Sequence, residues 1–193
     1  MVTGVPTTFL IALNAIPFED INICFVVAVN DNCYEERMTR DVKIKVRLAT
    51  DDDFKNIFSI WLDGIENSFD ASRIDTSSLR QRFQRNFSQR SGIFNFWVAV
   101  DENQNIVGWQ CLIKPSNNPL REDISAESST YIASNCRYTG TGQMLLAHVI
   151  KEAENTDLEY IIAFVATTNS AAEKSLMKQG GLRLEKFLNP QKQ

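Results

Sequence analysis

Arg137-Tyr138-Thr139-Gly140-Thr141-Gly142 is the stretch whose reading decides the fold. A short β-like run, Ser129-Thr130-Tyr131-Ile132-Ala133, precedes it. A helical pattern with apolar residues at Leu145, Leu146, Val149, Ile150 and Ala153 follows. A strand that ends in a glycine-punctuated turn and opens a helix aims several backbone N–H groups, and the positive helix end, at one spot. Such a spot suits a phosphate. A Cβ at either glycine would block close approach of an anion or force a strained φ. The same junction also occurs as a plain tight turn, and the six residues alone leave both readings open. The Walker pattern needs Gly-Lys-Ser/Thr, whereas Gln143 follows Gly142. The dinucleotide pattern G-x-G-x-x-G needs a third glycine where Leu145 stands.

Further matches lie on both sides. Glu127-Ser128-Ser129-Thr130-Tyr131-Ile132 runs into Arg137-x-x-Gly140-x-Gly142. Upstream stand Ile106-Val107-Gly108-Trp109 and Val46-Arg47-Leu48-Ala49-Thr50-Asp51-Asp52-Asp53; downstream, Asn169-x-x-Ala172 leads to Lys178-x-Gly180. In this order, residues 43–187 resemble the GNAT N-acetyltransferase superfamily. Within it they are most similar to the phosphinothricin and methionine-sulfone type amino-acid N-acetyltransferases. The resemblance implies the GNAT acyl-CoA N-acyltransferase fold, an α+β domain whose mixed, largely antiparallel sheet carries helices on both faces. It also implies acetyl-CoA as co-substrate, no metal, and the primary amine of an amino-acid-like small molecule as acceptor.

At 193 residues the chain suffices for one domain and an appendage. A net charge of −4 argues against a nucleic-acid-binding surface. The cysteines (Cys24, Cys33, Cys111, Cys136) show no C-x-x-C spacing. They cannot make a zinc site by themselves, and free thiols suit a reducing cytoplasm.

Residues 1–41 read as an N-terminal extension and 42–193 as the acetyltransferase domain. Val2–Phe18 is uncharged but broken by Pro6 and Pro17, short of the ~20 apolar residues a membrane span needs. No basic segment or cleavage site marks a signal peptide. Ile21–Val29 reads as a buried or edge strand ending at the turn signal Asn30-Asp31-Asn32. Such an apolar run must pack on a sheet edge, cover the domain surface or bury itself between two subunits. The last option would make the protein a homodimer. The family pattern begins only after Met38, so a chain starting there is expected to fold and to bind acetyl-CoA.

Val42–Leu48 alternates apolar and charged residues, as a half-exposed strand does. Thr50-x-x-Asp53 forms a capping box, and the run Asp51-Asp52-Asp53 complements the helix dipole. The helix it opens has Phe54, Ile57, Phe58, Trp61, Leu62 and Ile65 on one face. A second helix from about Ser77 carries Leu79, Phe83 and Phe87, with Arg80, Arg82, Arg85 and Arg90 on a solvated face. Phe94–Val100 and Ile106–Ile113 form a hairpin around Asp101–Asn105. Tyr160–Ala166 is a continuous apolar run, expected to be covered on both faces. Asn169 caps a last helix with Ala172, Leu176 and Met177 inward, stopped by Gly180-Gly181 before a closing strand at 182–187.

The resemblance assigns the chemistry. Ile132, Arg137, Tyr138, Thr139, Gly140, Thr141, Gly142 and Gln143 hold the cofactor, and Asn169 contacts its pantetheine arm; from the residues alone Asn169 is a helix cap. Glu127 is the carboxylate that takes the amine proton, against the plainer reading of a surface glutamate at a strand edge. Tyr131, on the same strand face, is a wall of the amine pocket or a core aromatic. Leu176 stands where the family usually has its general-acid tyrosine. Of the arginines that grip an amino-acid carboxylate only Arg121 remains, out of register, so either Arg121 takes over or the substrate is not a free amino acid. Trp97, Trp109 and Phe69 offer a more apolar lining. His148, in mid-helix, reads as non-catalytic. These departures keep two alternatives open: a degenerate acyl-CoA-binding protein with little turnover, and a protein or peptide N-acetyltransferase.

Overall fold

The computed structural model describes residues 23–28, 44–68, 76–115, 124–136, 138–165 and 169–185. Expectations placed on Met38, Phe69, Arg121 and Arg137 lie outside them. In chain order the elements are β1 (Ile23–Ala28), β2 (Lys45–Leu48), α1 (Phe54–Ser68), α2 (Thr76–Ser88), β3 (Phe96–Val100), β4 (Ile106–Ile113), β5 (Ser125–Ile132), α3 (Thr141–Ala153), β6 (Tyr160–Val165), α4 (Ser170–Lys178) and β7 (Leu182–Glu185). One seven-stranded sheet has the order β2-β3-β4-β5-β6-β1-β7. All its pairings are antiparallel except β5–β6. This is the expected mixed, largely antiparallel α+β arrangement.

Strand alternation sorts the core into two layers. On one face Phe96, Val98, Val100, Trp109, Cys111 and Tyr131 meet Ile57, Phe58, Trp61 and Ile65 of α1 and Leu79, Phe83 and Phe87 of α2. On the other, Trp97, Ala99, Val107, Leu112, Ala126, Ile161, Ala163 and Val165 meet Leu145, Leu146, Val149, Ile150 and Ala153 of α3 and Ala172 and Leu176 of α4. The helical faces expected from the 3.6 period are the buried ones, apart from Met177. That side chain is 53% exposed, because residue 177 is off the stripe defined by 172 and 176.

A short 3-10 turn, Asp51–Asp53, leads into α1. Asp53 reaches back to accept from the Thr50 N–H at 2.7 Å and hydroxyl at 3.0 Å, and Arg47 grips the same carboxylate at 2.6 and 3.0 Å. Hydrogen bonding from Arg47 is the main reason its pKa falls to about 2. Arg90 is no solvated side chain. It donates to the Phe87 carbonyl, pairs with Asp51 at 2.5 Å and lies 3.6 Å above the Phe87 ring, tying the end of α2 to the turn before α1.

Three strand details differ from expectation. β5 begins at Ser125, earlier than the apolar pattern showed, because Ser125–Ser128 pair with Tyr160–Ala163 of β6. β6 buries Ile161, Ala163 and Val165 fully, but Ile162 and Phe164 only partly, and Tyr160 is 43% exposed. The strand expected in Ile21–Val29 forms at 23–28, but inside the sheet. It pairs with β6 from Ile23–Val165 to Ala28–Tyr160 and with β7 from Ile23–Glu185 to Val26–Leu182. Both neighbours are antiparallel to β1, so β6 and β7 run parallel, joined by α4 with one strand slotted between them.

Among the described residues no helix is long and apolar enough to cross a membrane. No group of His, Cys, Asp and Glu among them is placed to hold a metal ion.

Candidate active site

The glycine turn after β5 has the geometry of an anion cradle. Gly140, the residue before α3, has φ +87°, a left-handed conformation that costs an L-residue about 1–2 kcal/mol. A Cβ built there meets no atom of the described residues within 4 Å, so among them the turn is open on that side. The first helical bond runs from the Met144 N–H to the Gly140 carbonyl. Helix geometry therefore leaves the N–H groups of Thr141, Gly142 and Gln143 without an intrahelical acceptor. The Thr141 hydroxyl turns inward, donating to the Tyr138 carbonyl at 2.9 Å, and keeps clear of the helix end. A pyrophosphate fits this arrangement of open space, free donors and positive helix end.

Beside the cradle, β5 and β6 part. Their last paired residues are Ser128 and Ala163; beyond them, among the described residues, β5 continues against β4 alone, from Ser129–Cys111 to Ile132–Gly108. The Ala133 N–H bonds the Val107 carbonyl. By the alternation of antiparallel pairs, the backbone groups of Thr130 and Ile132 then point away from β4 into the widening slit. Those groups can pair with an extended amide-containing chain, the role expected of Ile132.

Glu127 sits one residue before the strands part, opposite Ile113 of β4 and Ile162 of β6. This is a strand interior, so the reading of a surface glutamate at an edge is corrected. One carboxylate oxygen, Oε1, is buried without a hydrogen-bond partner among the described residues. Burial pushes the carboxyl up to about 7. The Cys111 thiol, buried near this carboxylate, is pushed up by the same desolvation and then by the negative charge of Glu127.

Tyr131 shares the Glu127 face, but the structure seals it in the aromatic layer: it is fully buried and stacked on Trp109, centroids 4.9 Å apart and planes at 21°. Trp97 is buried in the opposite layer. Asn169 caps α4, its Oδ1 accepting from the Ala172 N–H at 3.0 Å. Leu176 is fully buried, so the α4 position expected to carry a phenol carries none. The helix ends at Gly180 with φ +72°, and a Cβ on Gly181 would lie 2.8 Å from the Leu176 carbonyl oxygen. Any side chain at residue 181 would therefore crowd this turn. His148 lies on the flank of α3, 3.9 Å from Glu152.

A buried polar ladder went unread in the sequence. Gln110 Nε2 donates to Ser128 Oγ at 3.1 Å, and the Thr130 hydroxyl donates to Gln110 Oε1 at 3.0 Å. It clamps β5 to β4 where β5 loses β6. Its only sequence signal is a glutamine inside the otherwise apolar run Ile106–Ile113.

With this geometry in view, comparisons with known proteins agree. A curated Bacillus subtilis (strain 168) protein, YwnH, named as a phosphinothricin acetyltransferase, is 29% identical over 139 residues, 70% of this chain and 82% of that one. A ribosomal-protein-alanine N-acetyltransferase from Brucella melitensis is 28% identical with TM-score 0.58, covering 70% of this chain and 83% of that chain. A Sinorhizobium meliloti phosphinothricin acetyltransferase, solved in complex with AcCoA, shares the fold at TM-score 0.60 and 18% identity, over 72% of this chain and 75% of that chain. The sequence profile of the acetyltransferase (GNAT) family matches residues 55–180. The cradle, the slit and the profile concur: the chain belongs to the acetyltransferase (GNAT) family and is an N-acetyltransferase.

Proposed function

We propose that the protein transfers an acetyl group from acetyl-CoA to the primary amine of a small, amino-acid-like molecule, with Glu127 as the base. The observation that carries this is the buried Glu127 Oε1, without a partner among the described residues, on the strand where β5 and β6 separate. Acetyl-CoA supplies an activated thioester. The N–H groups of Thr141, Gly142 and Gln143 hold its pyrophosphate, with Arg137, Tyr138 and Thr139 of the same loop. The slit-facing backbone of Thr130 and Ile132 and the side chain of Asn169 align its arm. Glu127, its carboxyl pushed up to about 7 by burial, can gain and lose a proton near neutral pH and takes one from the ammonium form of the acceptor. The neutral amine attacks the thioester carbonyl, the C–N bond forms as the C–S bond breaks, and the proton the nitrogen sheds ends on the departing thiolate. The thiol (pKa about 8.5 when free) leaves without help from α4, where Leu176 stands. Tyr131 backs the acceptor side through its stack with Trp109, and Arg121 is the candidate partner for an acceptor carboxylate. The work needs no metal and suits the cytoplasm.

Similarity to the Brucella melitensis ribosomal-protein-alanine N-acetyltransferase supports a second acceptor class, an alanine amine of a protein. Thiol release from acetyl-CoA, measured across amino acids, small amines without a carboxylate and alanine-ended peptides, tests both. Turnover with the first two groups upholds the small-molecule reading. Turnover confined to peptides replaces it, and tight acetyl-CoA binding with no turnover in any arm assigns a binder.

A further inference from the structure

We propose that β1 is a positioning strand of the catalytic domain: by filling the gap between β6 and β7 it holds the β6 wall of the acetyl-CoA slit. The inference rests on the acetyl-CoA reading of that slit. β6 touches β5 only along Tyr160–Ala163, whereas β1 follows its whole length. At Phe164 and Val165, where β6 has left β5, the strand partners among the described residues are Cys24 and Ile23 of β1. Asn169 follows this lip of the slit by four residues in the sequence. β7 likewise pairs with β1. β6 and β7 lie two strand spacings apart, about 9.5 Å, too far to bond each other if β1 is missing. The far wall of the slit and the closing strand therefore share one support, drawn from the segment furthest from them in sequence.

Hydrogen exchange on the full-length chain, with and without acetyl-CoA, tests this alongside calorimetry of acetyl-CoA binding. Absence of binding would reject the slit as an acetyl-CoA site, and the proposal with it. Given binding, amides of 23–28 should exchange as slowly as those of 160–165, and acetyl-CoA should slow both by about threefold or more. Slowing at 160–165 with no change at 23–28 overturns the proposal and leaves the cofactor reading intact. Two full-length variants, Cys24→Pro and Phe25→Pro, break the ladders from adjacent residues, whose backbone groups face opposite neighbours. Each should raise KM for acetyl-CoA about tenfold or more with kcat at saturation within about twofold. Cys24→Val and Phe25→Leu, which keep the N–H, should leave KM unchanged. Folded proline variants with wild-type KM would sink the idea. Where a proline variant does not fold, the wild-type exchange result decides.

Discussion

Glu127 joins burial to chemistry in one side chain. Replacing it with glutamine should lower kcat/KM by roughly 10² to 10⁴, the usual loss for a general base. The limb of the wild-type pH profile near pH 7 should vanish with it, as steady-state rates from pH 5 to 9 would show. The same shift acts on stability, and its sign is fixed. A carboxyl raised from 4.5 to about 7 on folding stabilises fully below 4.5, and that contribution is lost as pH rises through 7. Glu127→Gln should therefore melt above wild type at pH 8–9, with the gap closing towards pH 4. At Gly140 the φ of +87° means even alanine is strained, by about 1–2 kcal/mol. The open space there means a longer side chain meets ligand rather than protein. Gly140→Val should abolish acetyl-CoA binding in calorimetry while the chain stays folded. Unchanged affinity would remove the loop from the site.

At the scale of elements, the start of α1 depends on Asp53. Asp53→Asn gives up the ion pair with Arg47 and weakens the cap, a loss of about 1–2 kcal/mol, or roughly 2–8 °C in Tm at pH 7 for a chain of this size. Because its pKa is lowered to about 2, that contribution is present above the ordinary carboxylate range and disappears as pH falls through 2. Phe83 of α2 contacts the rings of Trp61 at 4.9 Å, Phe58 and Trp109 at 5.6 Å, and Phe96 at 5.8 Å. Phe83→Ala should cost about 3–5 kcal/mol in chemical denaturation. These elements were legible in the sequence because burial on one face imposes a period on the residues themselves. Phe96, Val98 and Val100 alternate with Trp97 and Ala99, and α3 repeats its apolar stripe. The burial of Glu127 was not legible. It depends on β6 arriving beside Ser125–Ser128, and the polar run Glu127-Ser128-Ser129 carries no trace of that neighbour.

For the whole molecule, the sequence showed that residues 21–29 wanted a strand's environment but not where it would be. A strand's composition reports how buried it is, whereas its neighbours are set by the rest of the sheet. The interior place of β1 bears on the expectation that 38–193 suffices. We expect that truncation to leave one edge of β6 bare and β7 without its β1 partner, and to aggregate in light scattering, where an add-on segment would leave a soluble, active enzyme. The arrangement also shapes how the chain is made. Among the described strands β1 leaves the ribosome first and completes its pairing only when β7 has emerged, as Val26 waits for both Ile162 and Leu182. At about 5–20 residues per second, Ile23–Ala28 spends on the order of 10–30 s without its partners. Contacts so distant in sequence also make for slow closure. During biosynthesis this apolar strand is therefore expected to need shielding until β7 appears.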